Sequence, residues 1–461
     1  MMSNRQKALD YAVSKKEAFL DQLKTFVNIP SISTDPDKKA AMQAAAEWIA
    51  KKFTELGLTN IQIIPTGGHP VVFGECRCAG HQNAPTVLIY GHYDVQPSDP
   101  NDLWTTPPFE ATVRGENLYG RGASDMKGQV TASIFAVESI LKNGEMPVNI
   151  KFMIEGEEEI GSPHLNAFME SHKDLLACDV ALNPDSGMIA ADLPTITYAL
   201  RGLAYFEIRV HGPAHDLHSG LYGGVVHNPA QVLCELIAGM HDSDGKITLP
   251  GFYDKVRPLS SEEREALARL PMDEEYYKRQ TGVPALYGEK GFTPVERVGA
   301  RPSLDVNGIY SGFIGEGQKT VIPSWAMAKV SMRLVPDQDP AAVFDQLKQY
   351  LLEKAPKTVR WELIQMPYGA ASISDIHHPA TRALAQAFSS VWGKEPLYKR
   401  EGGSIPVVGN MQKILGVESV LTGFGLADDN IHAPNEKLHL PTWYKGIQAL
   451  IHFFYNYGQE N

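Results

Sequence analysis

The sequence has little cysteine, no long apolar run and no excess of basic charge. Its 461 residues include four cysteines, which are too few for a disulfide framework in a chain of this length. No apolar run is long enough to span a bilayer, and no apolar signal-peptide core follows the N-terminus. The formal net charge of -12 argues against a nucleic-acid partner. We therefore predict a cytoplasmic protein that binds neither nucleic acid nor membrane.

Two of the cysteines, Cys76 and Cys78, are separated by one residue, which leaves two interpretations open. Such a pair could ligate a soft metal ion, or both side chains could be free thiols. A lone C-x-C pattern is a weak signal, so free thiols are the favoured interpretation.

The spacing of apolar residues predicts an α/β domain. The chain is 43% hydrophobic and 21% charged, as in an ordinary globular protein, and its length suggests two or three domains. Helical spacing alternates with short β-like runs, which is typical of a mainly parallel sheet. The predicted helices cover 7–27, 39–56 and 128–141, and the predicted strands 61–64, 71–75, 86–90, 148–154 and 179–182. We assign this domain to residues 1–200 and 375–461.

The pattern changes at residue 201, where a second, smaller α+β domain is predicted. Its strands are expected at 203–210, 327–334 and 359–364, and its helices at 229–240 and 341–354. A charged insertion containing proline and glycine interrupts it near 241–302. This domain is assigned to residues 201–374.

Polar side chains follow the predicted strands of the first domain. His92 and Asp94 come after the strand 86–90 at alternate positions, which puts both side chains on one side of the strand end. That arrangement suits a metal ligand and the carboxylate that orients it. In open α/β sheets, ligands bind beyond the carboxyl ends of the strands. The other candidates at such positions are Asp125 before a helix, the run 155–162, Asp185, and the loop 428–435 with His432.

Two imidazoles with several carboxylates form a mixed nitrogen and oxygen ligand set. Such a set suits zinc, or manganese or cobalt in its place. There are enough candidates for two ions per chain with one bridging carboxylate, and two such ions can hold a hydroxide between them. A glutamate beside them would take the proton of the attacking water and return it to the leaving amine. We interpret Asp428 and Asp429 as solvated loop residues, and His215, His377 and His378 as surface residues.

The motifs that carry this chemistry resemble those of a dinuclear-zinc hydrolase family. It includes acetylornithine deacetylase, succinyl-diaminopimelate desuccinylase, aminoacylase and glutamate carboxypeptidase, and the sequence is most similar to the carnosinase and cytosolic non-specific dipeptidase branch. The matching segments span nearly the whole chain in family order: GHYDVQP at 91–97, GRGASDMKG at 120–128, EGEEEIGS at 155–162, DLHSG at 216–220, KTVIP at 319–323, RLVP at 333–336 and REGGSIP at 400–406.

The resemblance implies a zinc-exopeptidase-like catalytic domain and a complete set of metal ligands. One ion would be held by His92, Asp125 and Asp185, and the other by Asp125, Glu159 and His432, with Asp125 as the bridge. The same resemblance implies that Asp94 orients His92, that Glu158 is the general base and acid, and that the Asp125–Met126 peptide bond is cis.

For the second domain, the resemblance implies a lid that carries substrate-binding residues and forms a homodimer. Arg333 would bind the free carboxylate of a small peptide substrate, since a guanidinium fork fits that group. Gly403 and Ser404 would form the wall of the same pocket, and Thr320 would lie in the lid. His218 would reach the metal site of the partner chain and act in catalysis there.

These expectations define a leading hypothesis and a close alternative. The leading hypothesis is metal-dependent hydrolysis of dipeptides by a metal-bridged hydroxide. The alternative is an N-acyl-amino-acid deacylase with the same mechanism, but the signatures at 216–220 and 400–404 favour the dipeptidase. A metal-binding scaffold protein descended from such enzymes should have lost Glu158 or a ligand, and none is missing. The sequence contains no G-x-S-x-G, no H-E-x-x-H and no P-loop motif, which argues against other hydrolase classes.

Overall fold

The computed structural model describes residues 2–78 and 83–460. The chain forms two compact units. The first comprises Met1–Tyr198, Ser374–Tyr398 and Asn410–Asn461, and the second Ala199–Ile373 and Lys399–Gly409. The predicted boundaries differ from these mainly at 399–409, which the sequence analysis placed in the first domain. These residues group with the second unit because the backbone N–H of Arg201 donates to Gly403 O (3.2 Å) and its Nε donates to Gly402 O (3.0 Å).

The first unit is built on a mixed sheet whose central strands are parallel. Its strand order is Thr59–Ile64, Val71–Cys76, Asn149–Glu155, Thr86–His92, Val180–Asn183, Glu418–Leu421, Thr195–Leu200. The four strands from Asn149–Glu155 to Glu418–Leu421 run parallel, and the outer pairings are antiparallel. The predicted α/β class with a mainly parallel sheet is confirmed. The carboxyl ends of the four parallel strands therefore lie along one edge of the sheet.

Helices cover this sheet and bury its core. The longer ones are Asn4–Ser14, Lys16–Val27, Lys39–Leu56, Lys127–Leu141, Pro379–Trp392 and Leu440–Glu460. The helix Lys39–Leu56 ends at Gly57, whose φ of 78° gives the left-handed C-cap that glycine adopts without strain. The segment 7–27, which was predicted as one helix, is two helices separated at Lys15. Trp443 is fully buried and donates its indole N–H to Gly128 O (2.7 Å), which fixes the C-terminal helix against Lys127–Leu141.

Shorter elements connect these parts and complete the first unit. They are the helices Leu165–Ser171 and Lys173–Leu176, the single turns Pro36–Lys38, Asn101–Leu103 and Glu158–Ile160, and the strands Thr112–Arg114, Asn117–Tyr119, Gly187–Met188, Gly425–Leu426 and Lys437–His439. Two elements, Leu397–Glu401 and Pro406–Leu415, cross the boundary between the units. Among the described helices, none combines the length and the apolar character needed to cross a membrane.

The second unit contains a four-stranded antiparallel sheet in the order Ser303–Ser311, Trp325–Leu334, Gly202–His211, Arg360–Gln365. Burial alternates along Gly202–His211, so one face of the sheet is packed. The helices Pro229–Ala238 and Pro340–Lys354 cover that face. Each begins with proline at its first position, and the side chains of Asn228 and Asp339 cap their free N–H groups.

The charged insertion of the second unit is more regular than the sequence indicated. It contains the helices Ser261–Ala268, Glu274–Thr281 and Pro294–Ala300, and it leads into the strand Ser303–Ser311, which was not predicted. The remaining short elements of this unit are Leu217–His218, Ser219–Tyr222, Val321–Ile322 and Ser372–Ile373.

Candidate active site

The predicted metal ligands converge at the edge of the sheet where the parallel strands end. His92 is the last residue of its strand, and Asp185 lies two residues beyond Val180–Asn183. Glu159 lies in the turn Glu158–Ile160, which follows the strand Asn149–Glu155. Asp125 and His432 come from loops, one before the helix Lys127–Leu141 and one before the strand Lys437–His439.

These five side chains form two groups that share Asp125. In each group the possible ligand atoms lie within 4.8 Å of one another, and the groups are His92, Asp125 and Asp185, and Asp125, Glu159 and His432. Asp125 Oδ1 lies 3.2 Å from His92 Nε2, while Asp125 Oδ2 lies 2.9 Å from His432 Nε2. His432 Nε2 is also 3.2 Å from Glu159 Oε2. The two oxygens of one carboxylate thus face the two groups separately, and the Asp125–Met126 peptide bond is cis as predicted.

The chemistry of this cluster fits divalent cations. His92 is fully buried, yet its Nε2 atom has no hydrogen-bond partner of acceptable geometry. Burial and the neighbouring Asp125 raise the pKa of Asp185 to about 7, because the buried carboxylates repel one another. A buried imidazole nitrogen without a partner and crowded carboxylates are the environment that a cation with nitrogen and oxygen ligands would stabilise.

Asp94 holds both a candidate ligand, His92, and the turn that carries the glutamates. It is fully buried, and its backbone O accepts the His92 Nδ1–H (3.0 Å), with its carboxylate Oδ1 3.3 Å from the same nitrogen. Its two carboxylate oxygens accept the backbone N–H groups of Glu158 (3.2 Å) and Glu159 (3.0 Å). Burial raises the pKa of Glu158 well above its usual value, and the carboxylates of Asp185 and Glu159 add to that effect. Asp94 therefore fixes the orientation of His92 and the position of Glu158 together.

Several supporting residues were missed by the sequence analysis. Gln96 donates from Nε2 to the carboxylate of Glu159 (2.8 Å), which restrains that candidate ligand. Glu155 is buried and accepts hydrogen bonds from Tyr90 (2.7 Å) and Ser162 (2.9 Å), and burial raises the pKa of Glu155 to about 8. The motifs around 91–97 and 155–162 pointed to this region, but strand patterns do not show which side chains pair across it.

Asp429 corrects one interpretation. The loop sequence predicts a solvated side chain at Asp429, but this residue is 1% exposed. Its carboxylate accepts hydrogen bonds from Ser124 Oγ (2.8 Å) and Lys437 Nζ (2.9 Å), so it connects the loop before Lys437–His439 to the loop of Asp125. Its neighbour Asp428 has a 76% exposed side chain, as expected.

The predicted substrate residues lie in the second unit. Arg333, on the strand Trp325–Leu334, donates from Nη1 to Ser404 Oγ (2.8 Å), next to Gly403. His218 and Thr320 are exposed and neighbouring, because Ser219 N donates to Thr320 O (3.1 Å) and the two short strands Leu217–His218 and Val321–Ile322 pair. The His218 ring accepts the Gly220 N–H at Nδ1 (2.9 Å), which leaves Nε2 facing away from that contact. Within the second unit, Arg333 thus lies with Ser404 in one group, and His218 lies with Thr320 in another.

All four cysteines are free. Within the described part of the chain, neither Cys76 nor Cys78 belongs to a group that could hold a metal ion.

Comparison with known families identifies the class of protein that this fold and site define. The model of Peptidase family M20/M25/M40 matches residues 88–456. The chain belongs to this peptidase family, and it is a hydrolase of the metallopeptidase class. The recognition of the family from its motifs is therefore confirmed.

Individual relatives narrow the resemblance to dipeptidases. The chain is 33% identical to the Cys-Gly metallodipeptidase DUG1 of Candida albicans over 98% of its own length and 97% of that protein. It is also 33% identical to the human Beta-Ala-His dipeptidase, over 98% of this chain and 93% of the other. Among solved structures, human carnosine dipeptidase 1 superposes with a TM-score of 0.81 at 32% identity and covers 99% of both chains. The metallo-carboxypeptidase Sso-CP2 from Sulfolobus solfataricus gives 0.84 at 34% identity, over 96% of this chain and 99% of that one. The predicted branch is thus confirmed.

Proposed function

We propose that this protein is a metal-dependent dipeptidase in which Glu158 moves the proton during hydrolysis of the amide bond. The observation that carries the proposal is the shared carboxylate, since Asp125 faces two ligand groups with one oxygen each. Glu158 lies beside them, held through its backbone N–H by Asp94. The relatives whose names describe dipeptidases support the same conclusion.

Two divalent ions, which we propose to be zinc, would be held by the two groups of ligands. His92, Asp125 and Asp185 would hold one ion, and Asp125, Glu159 and His432 the other. When bound, such ions polarise the carbonyl of the scissile amide and make water acidic enough to react at neutral pH. The nitrogen and oxygen donors favour zinc, manganese or cobalt over soft ions.

Glu158 is suited to holding a proton between two steps. A general base must take a proton from the attacking water and later give it to the leaving amine. Burial and neighbouring carboxylates raise the pKa of Glu158 above its usual value, which makes its protonated form easier to reach than that of an exposed glutamate. Asp94 contributes by fixing both the turn and His92.

The second unit would recognise the free carboxylate of the substrate. Arg333 and Ser404 are hydrogen-bonded to each other, so a planar guanidinium and a hydroxyl are presented together beside Gly403. Arg201 lies behind the same turn, and burial together with the charge of Arg333 lowers the pKa of Arg201 to about 10. Two guanidinium groups close enough to affect each other favour binding of an anion. Thr320 would act as a lid residue beside the exposed His218.

We also propose a homodimer formed through the second unit, in which His218 acts in the partner's site. Apolar side chains are exposed close to His218 in sequence, with Leu221 73% and Val225 84% exposed. More lie on and after the edge strand Ser303–Ser311, where Ile309 is 55% and Ile314 78% exposed. A second chain that covers these side chains would remove them from water. The free thiols support a cytoplasmic location for this dimer.

A matched pair of substrates tests the proposed activity. Alanyl-alanine and N-acetylalanine share the scissile amide and the C-terminal carboxylate, and differ in the acyl part, which carries a free amino group and one more carbon in alanyl-alanine. We expect zinc-loaded enzyme to hydrolyse alanyl-alanine with the larger kcat/KM. Cleavage of N-acetylalanine alone would replace the dipeptidase by the N-acyl-amino-acid deacylase. The Glu158→Ala variant is the control for contaminating peptidases, since it should cleave neither compound.

A further inference from the structure

Glu436 is a buried carboxylate that belongs to neither ligand group. Its side chain is 0% exposed, and each of its two carboxylate oxygens accepts two hydrogen bonds. Oε1 accepts the backbone N–H groups of Ser124 (3.0 Å) and Asp125 (3.1 Å), and Oε2 accepts Gly122 N–H (3.0 Å) and Arg121 Nη1 (2.8 Å). Four donors from one short segment thus converge on a single side chain. The segment that Glu436 holds is the loop that carries the shared carboxylate, Asp125.

Glu436 also restrains the loop that carries His432, because only three residues separate them. His432 and Asn435 both have positive φ angles, 61° and 62°, which cost energy for residues other than glycine and persist only where other contacts enforce them. Asn435 is held by its side chain, which accepts Thr105 N–H (2.8 Å) and donates to Leu103 O (2.8 Å). Glu436 follows directly, and its backbone O accepts the N–H of Gly120 (3.0 Å). One residue therefore joins the loops of two different ligands.

Arg121 extends this connection towards a third ligand. It is 1% exposed, so its charge is balanced inside the protein by Glu436. Its Nη2 donates to Pro97 O (3.1 Å), next to Gln96, which donates to the carboxylate of Glu159. The pair Arg121 and Glu436 therefore fixes the backbone on which Asp125, His432 and Glu159 depend.

We propose that Glu436 is a positioning residue that sets the affinity of the metal pair by holding Asp125 and His432 at the spacing that both ions require. The proposal rests on the ligand set given under the proposed function. Glu436 does not touch the ions or the substrate, so it acts only through the placement of ligands. Residues that orient metal ligands in this way typically change metal affinity by about 10–100-fold when replaced.

Glu436→Gln tests this role with nearly the same side-chain volume. One oxygen becomes an amide nitrogen, which cannot accept hydrogen bonds from backbone N–H groups, and the charge opposite Arg121 is lost. We expect the dissociation constants for zinc, measured on apo protein by competition with a chromophoric chelator, to rise by about 10–100-fold. At saturating zinc, kcat should return close to the wild-type value. Circular dichroism and thermal unfolding of the apo protein show whether the fold is kept.

Glu296→Gln is the matched control. Glu296 is also a buried glutamate, at 2% exposure, whose carboxylate accepts a backbone N–H, from Thr293 (2.8 Å), and pairs with an arginine, Arg264 (3.3 Å). It lies in the second unit, away from the ligand loops in sequence. This variant should lose stability but keep zinc affinity, and an equal loss of affinity in both variants would overturn the proposal.

The remaining outcomes separate this inference from the proposed function. Suppose that wild-type protein binds two zinc ions and that the zinc dissociation constants of Glu436→Gln lie within twofold of the wild-type values. The inference then fails while the proposed function stands. If wild-type protein binds no pair of ions, the proposed function fails first. If Glu436→Gln does not fold, Arg121→Lys replaces it, because lysine keeps a cation but loses the second hydrogen bond, to Pro97. Unchanged zinc affinity in Arg121→Lys would then overturn the inference, and a loss of about tenfold would support it.

Discussion

Two histidines that the sequence marks as candidates, His92 and His218, lie in contrasting surroundings. His92 is fully buried at the end of a central strand, and its Nδ1–H donates a hydrogen bond to the backbone O of Asp94. His218 is exposed in a two-residue strand, and its only described ring contact is a backbone N–H two residues away. The first is held by the core of its unit, whereas the second is held by a local turn.

The difference matches the requirements of the two proposed roles. Charged metal ligands must be held at fixed distances by buried hydrogen-bond partners. An unpaired charge in the core is costly, and a misplaced ligand weakens binding of the metal ion. A group that meets the substrate from a lid must remain accessible until the site closes. The fold provides the first condition at the carboxyl edge of a parallel sheet and the second in short loops of the other unit.

The largest expected effect comes from the buried side of this comparison. Glu158→Ala should reduce kcat by at least about 10²–10⁴-fold while both ions remain bound, because the side chain acts on water and not on the ions. Metal analysis and steady-state kinetics on the same preparation measure both quantities. Glu170→Ala, at an exposed glutamate of the same unit, is the control and should retain full activity. An empty ion site in Glu158→Ala would mean that Glu158, and not Glu159, is a ligand.

His218→Ala tests the exposed side. The variant should stay folded and bind metal but lose about 10²–10³-fold in kcat, the usual cost of losing a donor to the oxyanion. The control is His215→Ala, at an exposed histidine three residues earlier, which should behave as wild type. Equal activity of the two variants would remove His218 from catalysis.

Mixing inactive chains sharpens the same comparison, since each site is proposed to use His218 of the partner. Equal amounts of His218→Ala and Glu158→Ala chains should regain about a quarter of wild-type activity after subunit exchange. With random assortment, half of the dimers are mixed and one of their two sites is intact. No recovery after verified exchange would place His218 in the site of its own chain, or outside catalysis.

The smallest expected effect concerns binding of the substrate carboxylate. Arg333→Lys keeps the charge but loses the guanidinium fork, and hydrogen bonds to charged groups contribute about 1.5–3 kcal/mol. We expect KM for a dipeptide to rise by about 10–100-fold with a smaller change in kcat. Arg209→Lys, at an arginine on the neighbouring strand that pairs with Glu207, is the control. A change in kcat alone would contradict a role in ground-state binding.

Much of the fold could be predicted because the strongest patterns are local. The helix 39–56 and the strands at 86–90 and 179–182 lie within two residues of their observed bounds, since apolar spacing and a C-terminal glycine define them. The strand Ser303–Ser311 was missed because Asp305, Asn307 and Gly308 disfavour strands, and a register shift between Val306 and Gly308 interrupts its alternation. Pairing with Trp325–Leu334 overrides these local preferences.

The candidate site shows a similar limit. The five proposed ligands could be named because family motifs mark them, and the structure brings these side chains together. Glu436, Gln96 and Asp429 were not found, because their roles depend on contacts between distant loops, such as Asp429 with Ser124. A single sequence shows residue types and spacing, but not which loops meet.

The number of ions lost from single-ligand variants tests most directly whether Asp125 bridges a metal pair. Zinc content would be measured by mass spectrometry on dialysed Asp125→Ala, Asp185→Ala and Glu159→Ala proteins, each confirmed to be folded. The bridge predicts two ions per wild-type chain, none in Asp125→Ala and one in each of the other two. An Asp125→Ala protein that retains one tightly bound ion would contradict the shared carboxylate and, with it, the proposed dinuclear site.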